Sequence, residues 1–236
     1  TQAGRDIIAG ARAEGRRALL EIEAKQLLSS HGAAVPGERL ASSSKEAAEA
    51  AEAMGSPVVL KIVSPDILHK SDAGGVKVNL AGQKQVQSAY RQIMESAKAY
   101  NPAADIRGVL VSPMAQRGVE VIIGTKTDDQ FGPVIMYGLG GVMVEILKDV
   151  SFRVLPISRR SARKMIEETK SAPILAGVRG EPPYDKKALV ELLLLCSEAM
   201  ESYPEIVEMD LNPVIVHHEG LSIVDARIIL KAEKPS

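Results

Sequence analysis

The sequence has few of the features that would assign a chain to a specialised class of protein. It contains one cysteine in 236 residues, so no disulfide can form within the chain, which fits a reducing compartment. The net charge of −1, with both signs interspersed, provides no electrostatic footprint for nucleic acid or an anionic membrane. No stretch approaches the roughly 18 apolar residues of a membrane span, and the first residues lack the apolar core of a secretory signal. We therefore expect a cytoplasmic protein that binds no nucleic acid and no membrane.

The composition is that of an ordinary globular protein. With 45% hydrophobic and 25% charged residues, the chain is long enough for one substantial core or for two lobes that share a cleft. It begins at Thr1 rather than at methionine, which leads us to expect a trimmed subunit or a piece of a longer polypeptide.

Periodic apolar residues predict an alternation of helices and hairpins. Helical spacing is present over residues 14–30, 44–55, 83–100, 158–169 and 185–202. Apolar runs bounded by glycine, proline or polar turns predict strands over 57–63, 75–80, 109–111, 119–123, 133–137, 206–216 and 221–224. Because helices alternate with hairpins rather than with single strands, the predicted fold class is α+β and not a doubly wound parallel sheet.

The first chemical pattern surrounds Lys61, which lies in the middle of an apolar strand. A buried ammonium needs a partner, and a phosphate oxygen is a suitable one. A polar loop follows, and it contains His69, which can take a phosphoryl group. The loop ends with the pair Gly74-Gly75, which permits close approach to an anion. The alternatives are a lysine that reaches solvent or pairs with a carboxylate, and glycines that only form a turn. Neither a Walker loop nor a dinucleotide fingerprint is present.

The second pattern groups oxygen ligands near the end of the chain. Glu208, Asp210 and Asn212 alternate along a strand and would share one face, and Asp225 follows across the predicted hairpin. Magnesium takes carboxylate or amide oxygens together with water and nucleotide phosphates, and Asn212 and Asp225 could supply such ligands. The alternative is the solvated face of an edge hairpin, since Pro213 suits an edge or a bulge.

The third pattern is a carboxylate in an apolar strand. Glu120 alternates into this strand, so we expect it to find a donor, such as a ribose hydroxyl, a phosphate-bound cation or a buried ion pair. A GxGG turn follows at residues 138–141. Cys196 lies in an apolar helical run, and we expect it to be buried.

These segments, in this order, resemble the ATP-grasp β subunit of ADP-forming acyl-CoA synthetases, the acetate–CoA ligase (ADP-forming) family. A more distant resemblance is to the β subunit of succinyl-CoA synthetase. The similarity covers the chain from about Gly15 to Leu230. It is carried by residues 61–76, 120–124, 131–133, 138–141, 144–145, 210–213 and 225–227.

The resemblance implies an ATP-grasp fold in which two α+β lobes have the nucleotide between them. The whole chain, 1–236, would be a single ATP-grasp unit, with a smaller lobe at about 36–111 and a larger lobe formed by about 1–35 with 112–236. The family implies that Lys61 would hold the nucleotide phosphates and that Gly74 and Gly75 would cover them. Val111 would end a hinge strand whose backbone reads the adenine, with Ser112 beside it, and Glu120 would lie on the nucleotide side. Asn212 and Asp225 would hold Mg²⁺. Pro113 at the hinge removes an amide donor, so the choice between ADP and GDP stays open.

The resemblance also implies a phosphohistidine relay with a partner. A CoA-binding α subunit, or a fused domain, would form an acyl phosphate from acyl-CoA and phosphate and take the phosphoryl group on its own histidine. His69 would then carry the group to ADP, and Asp210 would orient an imidazole. A neutral imidazole nitrogen suits this task at pH 7. We therefore expect a hetero-oligomer that uses ATP or ADP with Mg²⁺.

Two alternatives remain open from the sequence. One is an ATP-grasp carboxylate ligase of another family that has no phosphohistidine relay. The other is a catalytically silent subunit that binds nucleotide for regulation. The acyl group is not assigned, because the family places the acyl and CoA pockets mainly on the other subunit.

Overall fold

A computed structural model describes residues 1–55, 57–140, 149–177 and 180–232. The helices are α1 Gln2–Ala13, α2 Glu21–Ser30, α3 Ser44–Met54, α4 Gly82–Tyr100, α5 Arg159–Glu167 and α6 Lys186–Ser202, with a 3₁₀ helix at Ala172–Ala176. The strands are β1 Arg39–Ala41, β2 Val58–Val63, β3 Val76–Leu80, β4 Gly108–Pro113, β5 Val119–Asp128, β6 Gly132–Leu139, β7 Val150–Val154, β8 Ile206–Val216, β9 Leu221–Ile223 and β10 Ala226–Leu230.

The predicted α+β class is confirmed. Neighbouring strands pair antiparallel in both sheets, and helices pack on the sheets rather than crossing between parallel strands. The chain forms two compact units, one of Pro36–Met114 and one of Thr1–Val35 with Ala115–Ser236.

The smaller unit, Pro36–Met114, is built on a four-stranded sheet. Its strand order is β1-β4-β2-β3, so that β2 and β4 are inner strands. Helices α3 and α4 cover one face, where the alanines of α3 allow close packing against the strands. Ser43 accepts a hydrogen bond from the Glu46 N–H at the start of α3, and Gly55 follows its last turn with a φ of 81°. Leu60 and Ile62 of β2 belong to the core under these helices, so Lys61 between them lies on the opposite face of the sheet.

The larger unit, Thr1–Val35 with Ala115–Ser236, is built on a six-stranded sheet. Its order is β10-β8-β5-β6-β7, and β9 also pairs with β8. The core contains apolar side chains from α1, α2 and α6 against the sheet, among them Ile8, Leu27, Leu28, Leu189 and Leu193. In this arrangement β8, which carries the predicted metal ligands, is an inner strand with partners on both sides.

The helix predicted over residues 14–30 was wrong at its N-terminal half. A separate helix, α1, precedes it, and α2 begins only at Glu21. Between them Gly15 has a φ of 71°, and the Leu19 N–H donates to the Ile228 carbonyl at 3.0 Å. Glu14 and Gly15 therefore form a turn, and residues 17–19 are not helical because they bond to β10, a long-range contact that helical periodicity does not contain.

Three short strands were not predicted: β1, β7 and β10. Each is three to five residues long. β1 pairs with β4, which is distant in sequence, and β10 pairs with β8 in an irregular register, whereas β7 pairs regularly with the preceding strand β6. The extended conformation of β1 and β10 therefore depends on the partner strand rather than on a local signal.

Cys196 is fully buried in α6, as predicted, and burial raises the pKa of its thiol to about 12.

Among the residues that the structure describes, no helix combines the length and the apolar character needed to cross a lipid bilayer.

Candidate functional site

Lys61 occupies the middle of β2 and is only 5% exposed. It lies opposite Leu110 of β4 and Val76 of β3. Side chains alternate along a strand, and Leu60 and Ile62 pack into the core beneath the helices, so Lys61 projects from the opposite face. Its burial excludes the alternative in which the ammonium reaches solvent from a strand end.

The loop between β2 and β3, residues 64–75, presents His69 to solvent. Ile67 and Ala73 on either side of it are buried in the core of the smaller unit, whereas His69 is exposed. The Ala73 N–H also donates to the His69 carbonyl at 3.3 Å. The imidazole is thus held on a short surface segment with an apolar anchor at each end.

Gly74 and Gly75 form the base of this loop. The Gly74 N–H donates to the Ser71 carbonyl at 3.0 Å, and the Gly75 N–H donates to the Lys70 carbonyl at 2.7 Å. Gly74 has a φ of 64°, and a Cβ at Gly75 would overlap Ile62 Cγ2. Both amides are engaged within the loop in this conformation. A role in covering phosphates therefore stays a prediction, and it requires the loop to release these bonds.

The predicted hinge residues lie inside the sheet of the smaller unit. β4 continues to Pro113 rather than ending at Val111, and Val111 pairs with Arg39 on one side and with Leu60 on the other. Ser112 is buried, and its hydroxyl donates to Glu38 Oε1 at 2.7 Å. Base recognition by Val111 and Ser112 stays a prediction.

Glu120 corrects one expectation. Its side chain on β5 is exposed, so burial does not force it to find a donor. Its carbonyl accepts the Gly140 N–H at 2.8 Å, and a Cβ at Gly140 would lie 3.0 Å from the Glu120 Cβ. Close packing against Glu120 thus explains the glycine at position 140, and Gly138 instead packs against the Asp149 carbonyl and Val150. Gly141 and residues 144–145 lie outside the described residues.

A β-bulge in β8 displays Asn212. Leu211 and Val214 are both buried although they are three residues apart, and the register against β5 shifts at this point. The bulge places Asn212 at the surface and accommodates Pro213, with a cis peptide bond between the two residues. The interpretation as an edge hairpin was wrong, because β8 is paired on both sides.

Main-chain hydrogen bonds hold Asp225 beside this bulge. The Asn212 N–H donates to the Asp225 carbonyl at 3.3 Å, and the Val224 N–H donates to the Pro213 carbonyl at 3.0 Å. Asp225 Oδ1 accepts the Ala226 N–H at 2.9 Å. An amide oxygen and a carboxylate on adjacent backbone are the donors that a hard cation such as Mg²⁺ prefers, so this pair fits the ion.

Asp210 lies two residues before Asn212, on the face away from the core. Burial raises the pKa of its carboxyl group, the negative charges of Glu208 and Asp225 act in the same direction, and Arg227 opposes them. Arg227 stands directly opposite Asp210 in the register of β8 and β10. Arg227 was not predicted as a neighbour of the site, because β10 was not predicted and only the register reveals the pairing.

The cation site needs ligands from outside the protein. In residues 1–55, 57–140, 149–177 and 180–232, no three His, Cys, Asp or Glu side chains cluster to hold a metal. Asn212 and Asp225 alone would leave several positions to water and phosphate oxygens, which is how Mg²⁺ commonly binds beside a nucleotide.

The predicted site residues divide between the two units. The smaller unit carries the phosphate and base candidates, Lys61, His69, Gly74, Gly75, Val111 and Ser112. The larger unit carries Glu120, Asp210, Asn212 and Asp225. The smaller unit therefore contributes an ammonium and an exposed imidazole, and the larger unit contributes oxygen ligands for a metal, which are group types used in phosphoryl transfer.

Known proteins match almost the whole chain. Residues 10–230 fit the family model of the ATP-grasp domain. The chain is 51% identical over 222 residues to the β subunit of acetate–CoA ligase (ADP-forming) II of Pyrococcus furiosus, covering 93% of this chain and 94% of that one.

Solved structures agree with the sequence matches. The dinucleotide-forming acetyl-coenzyme A synthetase 1 of Ca. Korarchaeum cryptofilum, in complex with coenzyme A, Ca-AMPCP and HgCl⁺, superposes with a TM-score of 0.93 at 50% identity, covering 97% of this chain and 100% of that chain. A second structure of that enzyme, with coenzyme A and Mg-AMPPCP, has its phosphohistidine segment pointing towards the nucleotide-binding site. It superposes with a TM-score of 0.85 at 47% identity, with the same coverage.

Proposed function

Because this chain belongs to the ATP-grasp family, among the β subunits of ADP-forming acetate–CoA ligases, we propose that it is the nucleotide-binding subunit of a reversible acyl-CoA synthetase. The overall reaction joins acyl-CoA, phosphate and ADP to give the free acid, CoA and ATP. The chain performs the phosphoryl transfer to and from the nucleotide, and a CoA-binding partner handles the acyl group.

His69 is the residue that accepts the phosphoryl group. A neutral imidazole nitrogen attacks phosphorus, the bond to the leaving oxygen or nitrogen breaks, and a phosphoramidate forms on the ring. In the next step the ADP β-phosphate oxygen attacks the same phosphorus, the P–N bond breaks, and ATP forms. The single observation that carries this assignment is the exposure of His69 on a segment whose two flanks, Ile67 and Ala73, are anchored in the core.

The remaining residues bind and orient the nucleotide. Lys61 places a positive charge against the phosphates, and its buried position on an inner strand limits its freedom. Asn212 and Asp225 would hold Mg²⁺, which neutralises charge on the transferred group when it is bound. Asp210 orients an imidazole. The Mg-AMPPCP complex of the Korarchaeum relative supports the choice of this cation.

The partner is a CoA-binding α subunit or a fused domain, and the functional form is a hetero-oligomer. The designation of the Pyrococcus relative as a β subunit supports this proposal. We also propose that the enzyme works in the cytoplasm, where its nucleotide and CoA substrates are found.

The test is direct phosphorylation of the chain. Incubation with Mg²⁺ and ATP labelled at the γ-phosphate should transfer label to the wild-type protein in an acid-labile, base-stable form. His69→Ala should remove the label while ADP affinity stays unchanged, and the reconstituted complex with the CoA-binding partner should lose acyl-CoA synthesis. His218→Ala, which changes another exposed histidine, is the matched control and should label normally.

Full acyl-CoA synthesis by the His69→Ala complex would exclude the relay and favour an ATP-grasp ligase that uses free acyl phosphate. A wild-type complex that binds ADP but shows no synthesis would favour a regulatory subunit.

A further inference from the structure

Helix α2 contains a buried ion pair. Lys25 is 1% exposed and Glu21 is 5% exposed, and the Lys25 Nζ lies 2.9 Å from Glu21 Oε1. Withdrawing two charges from water has a large desolvation cost, and apolar residues of similar volume often give equal or greater stability. The stability of α2 therefore does not by itself require a charged pair at this position.

The same ammonium reaches a distant part of the chain. The Lys25 Nζ donates to the Val224 carbonyl at 2.8 Å, across 199 residues of sequence. That carbonyl belongs to the peptide unit that joins Val224 to Asp225. The Val224 N–H donates to the Pro213 carbonyl at 3.0 Å, so the residue is held from α2 on one side and from the β8 bulge on the other.

The orientation of this peptide determines where the Asp225 side chain points. The Asp225 carbonyl accepts the Asn212 N–H at 3.3 Å, which makes Val224, Asp225 and Asn212 one hydrogen-bonded assembly. Glu21 holds the Lys25 ammonium, and the ammonium holds the assembly through Val224. Groups that orient metal ligands in this way change metal affinity by about 10- to 100-fold when they are removed.

The geometry points to a positioning role for this pair: Lys25, held by Glu21, fixes the Val224–Asp225 peptide so that Asp225 and Asn212 bind one divalent cation together. This inference rests on the proposed function, since it takes Asn212 and Asp225 as the cation ligands. Lys25 is a positioning residue in this role: it touches neither nucleotide nor metal, and it acts through the Val224 carbonyl that its ammonium binds.

The test removes both charges at once. In the double variant Glu21→Leu/Lys25→Met, neither partner is left as an unpaired buried charge, so the fold should be kept. ADP affinity is measured by calorimetry, first in EDTA and then over a series of Mn²⁺ concentrations, with Mn²⁺ as the probe cation. The Mn²⁺ concentration that gives half of the metal-dependent gain in ADP affinity should rise about 10- to 100-fold. ADP affinity in EDTA and the melting temperature without metal should stay at wild-type values.

Two further variants make the result specific. Arg16→Met breaks another ion pair of the same unit, in which Arg16 lies 2.8 Å from Glu23, and it should leave the Mn²⁺ response unchanged. Asp225→Asn should raise the Mn²⁺ requirement directly. In the Asp225→Asn background, the double variant at Glu21 and Lys25 should cause no further loss, because the ligand that it positions is already impaired.

The outcomes separate the two levels of the argument. A wild-type Mn²⁺ response in Glu21→Leu/Lys25→Met, with a weakened response in Asp225→Asn, would overturn the positioning role and leave the proposed cation site intact. A wild-type response in Asp225→Asn would refute the cation site and the positioning role together. An equal loss in Arg16→Met, or a lowered melting temperature in the double variant, would show general destabilisation and also overturn the positioning role.

Discussion

Replacing Gly75 with alanine should destabilise the smaller unit at the base of the His69 loop. An added Cβ would overlap Ile62 Cγ2, and it would lie 3.1 Å from Ile62 Cβ and 2.9 Å from the Lys70 carbonyl oxygen. Carbon atoms prefer separations of about 3.5–4.0 Å, so the loop must move away from β2 by a substantial fraction of an ångström.

The size of the effect follows from three contributions. Overpacking of a well-filled site costs about 1–3 kcal/mol. The Gly75 N–H bond to the Lys70 carbonyl, now 2.7 Å long, would be weakened, and such a bond contributes about 0.5–1.5 kcal/mol. The reduced entropy of the unfolded chain offsets about 0.4–1 kcal/mol. The expected net loss in the free energy of unfolding is therefore about 0.5–4 kcal/mol.

The assay is urea unfolding followed by circular dichroism, together with hydrogen exchange of the β2 and β3 amides. Exchange is needed because a chain with two compact units need not unfold in one transition. Gly37→Ala is the matched control in the same unit, since nothing lies within 4 Å of its added Cβ and its φ is not positive. That variant should be unchanged or slightly more stable.

A double-mutant cycle identifies the cause. Ile62→Ala removes the Cγ2 atom that the new methyl group would overlap, so the losses of Gly75→Ala and Ile62→Ala should be less than additive by about 1 kcal/mol. Additive losses would show that Ile62 is not the obstacle. A Gly75→Ala variant as stable as Gly37→Ala would refute the packing argument altogether.

Two further predictions concern helix α6. Asp185 caps this helix, and hydrogen bonds from the Ala188 and Gly220 N–H groups lower the pKa of its carboxyl group. The ionised carboxylate therefore stabilises the folded protein fully above the unfolded-state pKa of about 3.9, and this stabilisation is lost as the pH falls through the folded-state pKa. Asp185→Ala should lose about 1–2 kcal/mol in urea unfolding at pH 7, and a difference that widened on acidification would contradict this cause. The Cys196 thiol, whose pKa burial raises to about 12, should not react with a disulfide reagent at pH 8 until the protein is unfolded. Reaction of the folded protein at the unfolded rate would show that α6 does not bury it.

Much of the fold was predictable because its signals are local. The strands and helices around Lys61 and the long helices α4 and α6 follow from apolar periodicity and from turn residues at their ends. The elements that failed depend on distant partners. The stretch before α2 is extended because Leu19 bonds to Ile228, and β10 exists as a strand because it pairs with β8.

The site shows the same division. Lysine in an apolar strand and a histidine in the polar loop after it are visible in the sequence, and in the structure Lys61 is buried and His69 is exposed. The exposure of Glu120 was not predictable from alternation, because strict alternation does not say whether a sheet face meets solvent.

By itself the sequence determined the chemical inventory: an ammonium in an apolar strand, an imidazole beside paired glycines, and amide and carboxylate oxygens near the end of the chain. It also determined the α+β class, since periodicities of 2 and 3.6 are properties of neighbouring residues. Only the tertiary structure decided which backbone groups meet. The bulge that exposes Asn212 depends on pairing with β5, and the contact from Lys25 to Val224 spans 199 residues. The hydrogen bond from Asn212 to Asp225 crosses a hairpin. The geometry of all three is set by packing and register rather than by local preference.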